Sequence, residues 1–403
     1  MKVALAAMSA LLIVLLGAAA PSPTPDSPTP GAAASPCEQG PKPASLNDWV
    51  RRGDCLRDAQ ELDAALEACQ SGLAAFPAGS RDLYISLGLT YSEMHRPFDE
   101  LAAFESALKF DAADPEALYF VGIGYEEIFA YPTALEYFHK VLATRPNDGR
   151  AHRNIGYVLL QQGKREDAIG PLQTALEIDP GDWKANLNLG AAYGAICSAI
   201  DQELSGFVPA ERSAGDPNSP PIRRRTELLE KRKRFDCANQ ATKHDREAAR
   251  LHPEDARTWY NLGTGLMRNP GNSVEAIDAL QRAIALKPDY YEALRNLTIA
   301  QQEAGRDADA YETCGKIQKI SSEDAWLEET KADLEGKLGR VDEAIISYRT
   351  AIQLANGDPA VLGHLHSFLE SLGRSAEFQQ DLDRAKQLRP DLARFYDELF
   401  PRP

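Results

Sequence analysis

Positive charge is the first thing this sequence is short of. Its 44 Lys and Arg are outnumbered by 60 Asp and Glu, leaving a formal net charge of −16. Counterion release from a phosphate backbone needs positive surface, so a general nucleic-acid binder is excluded. Catalytic signatures are missing too. No Gly-rich phosphate loop follows a strand, and no Gly-x-Ser-x-Gly elbow or zinc-ligand spacing occurs. The 7 histidines are scattered. His364 and His366 stand two apart on a helix, hence on different faces and poorly placed to share a metal. Acidic pairs such as Glu126-Glu127 read as solvated helix faces. Neither catalysis nor a cofactor is expected, and no metal site.

Long apolar runs are also absent beyond the N-terminus. Lys2 is followed by small and apolar residues from Val3 to Ala20, ending in Gly17-Ala18-Ala19-Ala20. This predicts an export signal over residues 1–20, cleaved after Ala19 or later after Ala32-Ala33-Ala34. The alternative is an uncleaved anchor, since about 18 such residues sit at the lower limit for crossing a bilayer. Ser35-Pro36 before Cys37 does not make a lipidation box. Residues 21–45 are rich in Pro, Ser, Thr and Ala and predict an extended tether. The expected location is extracytoplasmic, either periplasmic or secreted, with a membrane tether as the variant.

What the chain does have is a repeat. A shift of about 34 residues superimposes Leu87-Gly88, Val121-Gly122, Ile155-Gly156, Leu189-Gly190 and Leu262-Gly263. Small residues recur at Ala65, Ala134, Ala168, Ala241, Ala276, Ala310 and Ala344, and again at Ala107, Ala175, Ala248, Ala283, Ala351 and Ala385. Pro77, Pro146, Pro180, Pro253, Pro288 and Pro390 close units. Gly and Ala suit places where two helices cross closely, and Pro cannot continue the preceding helix. Between them, apolar residues recur at three and four, as in Ala276-Ile277, Leu280 and Ala283-Ile284.

This pattern resembles the tetratricopeptide repeat family. The resemblance implies an all-α, right-handed α-solenoid of about nine helix-turn-helix repeats. Their spans are 46–79, 81–114, 115–148, 149–182, 183–255, 256–290, 291–324, 325–358 and 359–392, with a capping helix and tail over 393–403. Departures are Glu100 for a small packing residue, Thr298, Ala332 and His366 for the Gly, and Phe378 for an Ala. Repeats two and seven to nine should therefore pack less ideally.

In proteins of this family the first helix of each repeat lines the concave face. Carried over, that places an amide ladder there: Asn154, Asn188, Asn261 and Asn296. Beside it fall Arg150, Arg153, Lys184, Arg257 and Arg295, with Tyr157 and Tyr260. A row of amides can pair with the backbone of an extended peptide. The cations would favour carboxylates. Flanking positions turn acidic, with Glu116, Glu126 and Glu127 before and Glu329 and Asp333 after. The ladder resembles that of peptide-binding solenoids such as the repeat arm of O-linked N-acetylglucosamine transferase. It departs from the two-carboxylate clamp of chaperone cofactors, because Tyr157 and Thr264 stand where that clamp has Asn.

The fifth repeat is interrupted by an insertion over 198–236. Its first helix is expected from Trp183 to about Cys197, and its second from about Cys237. Removing the insertion makes Cys197 and Cys237 neighbours, which predicts a disulfide in an oxidising compartment. Cys37 can pair with Cys55 or Cys69, and helix register favours Cys69. Cys314 falls at an apolar packing position and is expected to be a buried thiol. Within the insertion, Arg223, Arg224, Arg225, Lys231, Arg232, Lys233 and Arg234 form a basic patch against Glu227 and Glu230. It reads as a solvated helix face or as a docking patch for an acidic protein or anionic membrane.

The expected function is an extracytoplasmic scaffold or adaptor that holds a protein or extended peptide, acidic in character, along its concave face. Two alternatives remain at this point: an assembly component of an envelope complex working through the insertion and outer surface, or a non-catalytic accessory subunit of an envelope enzyme.

Overall fold

The computed structural model describes residue 37 and residues 43–206, 220–269 and 271–401. The expected export signal and all of the expected tether except residues 37 and 43–45 lie outside the described residues, as do 207–219 of the insertion. Among the described residues the secondary structure is helical throughout, and the chain divides into two units, one ending at Ala103 and the other beginning at Phe104.

The first unit contains α1 (Leu46–Asp58), α2 (Leu62–Ala75), α3 (Arg81–Glu93) and the start of α4 (Pro97–Leu108). Ser45 caps α1 through a reciprocal box with Asp48, and Ser80 caps α3 by accepting from the amide of Leu83. Such caps satisfy amide donors that a helix start leaves without a partner. Trp49, Leu56, Ala65, Ala68, Cys69, Leu83 and Leu87 form the core. Gly72 allows Trp49 to close on α2, where an added Cβ would stand 2.9 Å from the Trp49 Cβ. The structure corrects one pairing: Cys37 is bonded to Cys55, with Cα atoms 5.8 Å apart, and not to Cys69. Cys55 sits on the exposed side of α1, within reach of the incoming chain. Cys69 is fully buried, its Sγ 3.6 Å from Ser86 Oγ.

The second unit continues the hairpins: α5 (Pro115–Glu127) with α6 (Tyr131–Thr144), then α7 (Gly149–Gln161) with α8 (Arg165–Ile178). The interrupted pair follows, as α9 (Trp183–Ser205), α10 (Pro220–Phe235) and α11 (Cys237–Leu251). Beyond it come α12 (Ala256–Met267) with α13 (Ser273–Leu286), α14 (Tyr291–Glu303) with α15 (Asp307–Ile320), and α16 (Ala325–Lys337) with α17 (Val341–Leu354). The last hairpin is α18 (Pro359–Ser371) with α19 (Phe378–Leu388), and α20 (Ala393–Leu399) closes the end. Asp114, Asp148, Asp182, Asp255, Asp324 and Asp358 each cap the first helix of a pair. The tight link between paired helices needs a left-handed residue, supplied by Gly163, Gly305, Gly339 and Gly373 and, at greater cost, by Phe129.

Inside the hairpins, glycine meets a large apolar knob. A Cβ at Gly122 would lie 2.7 Å from Phe138, and one at Gly263 would lie 2.6 Å from Leu280. Gly156 faces Leu172 in the same way. These contacts join α5 to α6, α7 to α8 and α12 to α13. At the C-terminal end two bulky replacements compensate each other. His366 takes the glycine position and packs against Phe378 with the rings tilted, 4.4 Å between centroids, and both meet Phe400.

The insertion departs from expectation in one respect. α9 does not stop at Cys197 but runs about two turns further, to Ser205. The Cys197–Cys237 disulfide, with Cα atoms 5.7 Å apart, therefore joins the middle of α9 to the start of α11. α10 packs back on the extended part of α9 through buried Leu228. Cys314 is a buried free thiol, and burial pushes it up to about 12.

Candidate functional site

The candidate residues stand on first helices of the second unit: α7, α9, α12 and α14. The repeat sets equivalent side chains of successive first helices one unit apart, so many of them meet each other. Arg150 on α7 grips Glu116 on α5 through both guanidinium ends, at 2.9 and 3.0 Å, and also reaches its own cap Asp148. Its guanidinium lies over the Tyr119 ring, 4.6 Å from the centroid. The hydrogen bonds from Arg150 hold the Glu116 carboxyl below its usual range despite partial burial. Arg153 donates to Asp182, the cap of α9, at 2.8 Å.

The amide ladder separates into two kinds of residue. Asn154 is buried and donates to the Tyr119 hydroxyl at 3.3 Å, so it is not presented as an open rung. Asn296 donates to Thr264 Oγ1 at 3.0 Å, tying α14 to α12. Asn188 and Asn261 are half-buried and have no hydrogen bond from their side chains to the described residues. Their neighbours are open as well. Lys184 is exposed, its ammonium 5.6 Å from the Trp183 ring. Arg257 is exposed and, among the described residues, bonds only its own cap, Asp255.

Aromatic side chains border this stretch. Tyr260 packs on Tyr290 with centroids 4.9 Å apart. Tyr157 on α7 is half-buried; burial, and then the charges of Glu126 and Glu127, push its phenol up to about 12. Arg295 lies between the rings of Tyr291 and Trp326, at 5.7 and 4.1 Å, and is held by them. The expected acidic flank after the ladder is engaged internally: Glu329 bonds His364 and Asp333 accepts from the Tyr348 hydroxyl. A cleft of about 480 Å³ opens where α7 and α9 begin, bordered by Arg150, Arg153, Asp179, Asp182, Trp183 and Lys184.

The seven bases of α10 divide similarly. Arg224 chelates Glu203 at 2.6 and 2.9 Å, Lys231 pairs with Glu166, and Arg232 reaches Asp201 at 3.3 Å. These three pin α10 to α8 and α9. Arg234 covers the Phe235 ring at 5.0 Å, while Arg223, Arg225 and Lys233 face solvent.

The hairpins, their caps and the glycine-and-knob crossings agree with comparison to known sequences. The tetratricopeptide repeat profile matches residues 131–182 and 241–291, and a second profile of that repeat matches 330–358. The chain is a tetratricopeptide repeat protein. It is 26% identical over 223 residues to the tetratricopeptide repeat-containing protein trd-1 of Caenorhabditis elegans, covering 55% of this chain and 27% of that one. It is 23% identical over 260 residues to the peroxisomal targeting signal receptor of Kluyveromyces lactis, covering 64% and 39%. The repeat protein thus spans between about a quarter and two fifths of the length of these relatives. Among solved structures, YrrB, a TPR protein described as having an unusual peptide-binding site, is 21% identical over 57% of this chain and 97% of its own, with a TM-score of 0.34.

Several residues of this tetratricopeptide repeat protein were not marked by its sequence. Tyr119 organises Arg150, Arg153 and Asn154, and nothing in its spacing announces that role. Asn186 bonds His244 across the α9–α11 joint at 2.9 Å. Asp245 could have been noticed, because it stands at the register of Phe138, Leu172 and Leu280.

Proposed function

We propose that this chain is a protein-binding scaffold that holds an extended polypeptide along the first helices of its second unit, centred on α9 and α12. One observation carries the reading. Side chains at the flanks of the ladder are spent on bonds between repeats, whereas in the middle Lys184, Asn188 and Asn261 make no such bond and Arg257 bonds its own helix cap, Asp255, rather than a neighbouring repeat. Asn188 and Asn261 each offer a donor and an acceptor to a peptide backbone. Lys184 and Arg257 favour carboxylates on that peptide. Tyr157 and Tyr260 supply apolar borders with polar tips. That several relatives are named targeting signal receptors agrees with polypeptide recognition.

The setting that fits the chemistry is extracytoplasmic. Two cysteine pairs are joined, and such bridges persist where thiols are not kept reduced. The test places a photo-crosslinking residue at Asn188 in the full chain and maps the captured polypeptide in its native compartment. Capture should be lost on combining Lys184→Glu with Arg257→Glu. Undiminished capture by that double variant would move the binding surface elsewhere. The outer face of α10 is a second reading, favoured by the three bases left in solvent. Reversing Arg223, Arg225 and Lys233 would then abolish association while the ladder variants leave it intact.

A further inference from the structure

The joint between α9, α11 and α12 holds a group that a hydrophobic core should not contain. Where neighbouring hairpins place Phe138, Leu172 or Leu280 against the crossing glycine, the fifth places Asp245 against Gly190. Asp245 is 3% exposed, and its Oδ1 has no hydrogen-bond partner. Gly190 on one side and Gly265 on the other leave it no slack. A Cβ at Gly265 would stand 3.1 Å from Asp245 Oδ2, and one at Gly190 would overlap the carboxylate. An unpaired carboxylate in such surroundings is expensive, so the neutral acid is the form that fits.

One cation stands within influence. Arg268, which ends α12, extends its guanidinium along Gly194 of α9, where an added Cβ would lie 3.0 Å from Nη1. It donates through Nη2 to Ser198 Oγ at 3.0 Å. The other charged groups near the joint are engaged elsewhere or face solvent. On α9, Asp201 and Glu203 pair with Arg232 and Arg224 of α10, and Lys184 is exposed. On α10, Lys231 pairs with Glu166. On α11, Arg246 pairs with Glu275, Glu247 with Arg250, and Lys243 faces solvent. His244 bonds Asn186, and burial pulls it down to about 4, so it stays neutral at ordinary pH. On α12, Arg257 bonds Asp255.

We propose that Asp245, Arg268 and Ser198 form a proton-dependent latch: with Asp245 neutral, Arg268 rests on Ser198, and with Asp245 ionised, Arg268 leaves Ser198 to pair with the carboxylate. The carboxyl lies against Gly190 and Gly265, and the guanidinium against Gly194, one turn further along α9. Burial pushes the Asp245 carboxyl up to about 8, with Arg268 opposing the rise. The two arrangements therefore exchange close to neutral pH. Because the latch bridges α9 and α12, the two helices that carry Lys184, Asn188, Arg257 and Asn261, proton loss resets the spacing of that central stretch. This consequence rests on the proposed binding role; the latch itself does not.

The folded chain holds this proton from the unfolded carboxyl's range near pH 4 up to about pH 8, so the latch contributes stability at low pH that is lost as pH rises through that window. The test follows ¹³Cγ signals of aspartate-labelled full-length protein between pH 6 and 10, with the Asp245 line identified by its loss in Asp245→Asn. A midpoint near 8 is expected. Arg268→Gln should raise it by about a unit, because an opposing cation is removed. Ser198→Ala should lower it, because the cation is released. A carboxyl that is merely buried would ignore Ser198, so an unmoved midpoint in that variant overturns the latch, as does a carboxyl already ionised at pH 6. If Asp245→Asn does not fold, Asp245→Leu restores the apolar knob and serves as the reference. Peptide capture is measured separately across the same range; a titrating latch with pH-independent capture refutes only the link to binding.

Discussion

Arg150 and Glu116 stand 34 positions apart and close on each other through two hydrogen bonds. The relationship follows from the repeat length: residues one unit apart occupy the same place on adjacent first helices, and opposite charges there will pair. A feature that resembled ligand-binding capacity is here used to hold successive hairpins together.

Separating this pair should therefore affect stability and spare binding. Glu116→Gln and Arg150→Gln should each cost about 0.5–1 kcal/mol, with the double variant costing less than their sum. Because the Glu116 carboxyl is held below its usual range, its contribution is present above about pH 4 and fades as pH falls through the lowered value. Urea unfolding at pH 7 and pH 3 measures both effects.

Glycine positions should diverge sharply. Gly263→Ala pushes a Cβ to 2.6 Å from Leu280 and should destabilise the second unit by about 1–3 kcal/mol. Gly170→Ala lies on the exposed side of α8 with nothing within 4 Å, and should add about 0.5–1 kcal/mol through helix propensity. Thermal unfolding of both variants checks the contrast.

The two bridges should differ in weight. Cys197 and Cys237 close a loop of 40 residues, Cys37 and Cys55 one of 18. On the chain-entropy estimate, replacing the first pair by Ala costs about 4 kcal/mol and the second about 3 kcal/mol. Denaturant titrations of the two double variants under oxidising conditions would show the difference, and equal losses would point to strain or residual structure instead.

Hairpin order was open to sequence reading because it rests on small residues where helices cross, and that constraint recurs every unit. Side-chain direction was less accessible. The spacing that put Asn154, Arg150 and Arg153 on one face also brought them within reach of Tyr119, Glu116 and Asp182, and a one-dimensional register does not say which contact wins. Register favoured Cys69 over Cys55 for the same reason: it places Cys69 level with the start of α1, and only burial shows that Cys69 faces inward. The extra turns of α9 were within reach. Ala199-Ile200-Asp201-Gln202-Glu203-Leu204 contains no breaker, and its residues tolerate a helix.

Those extra turns alter what the chain can tolerate. With the staple set in mid-helix, the last two turns of α9 lie beyond it and are tied back by α10, through Leu228 and the Arg224–Glu203 and Arg232–Asp201 pairs. Loosening α10 should therefore free those turns while the disulfide keeps α9 and α11 clamped.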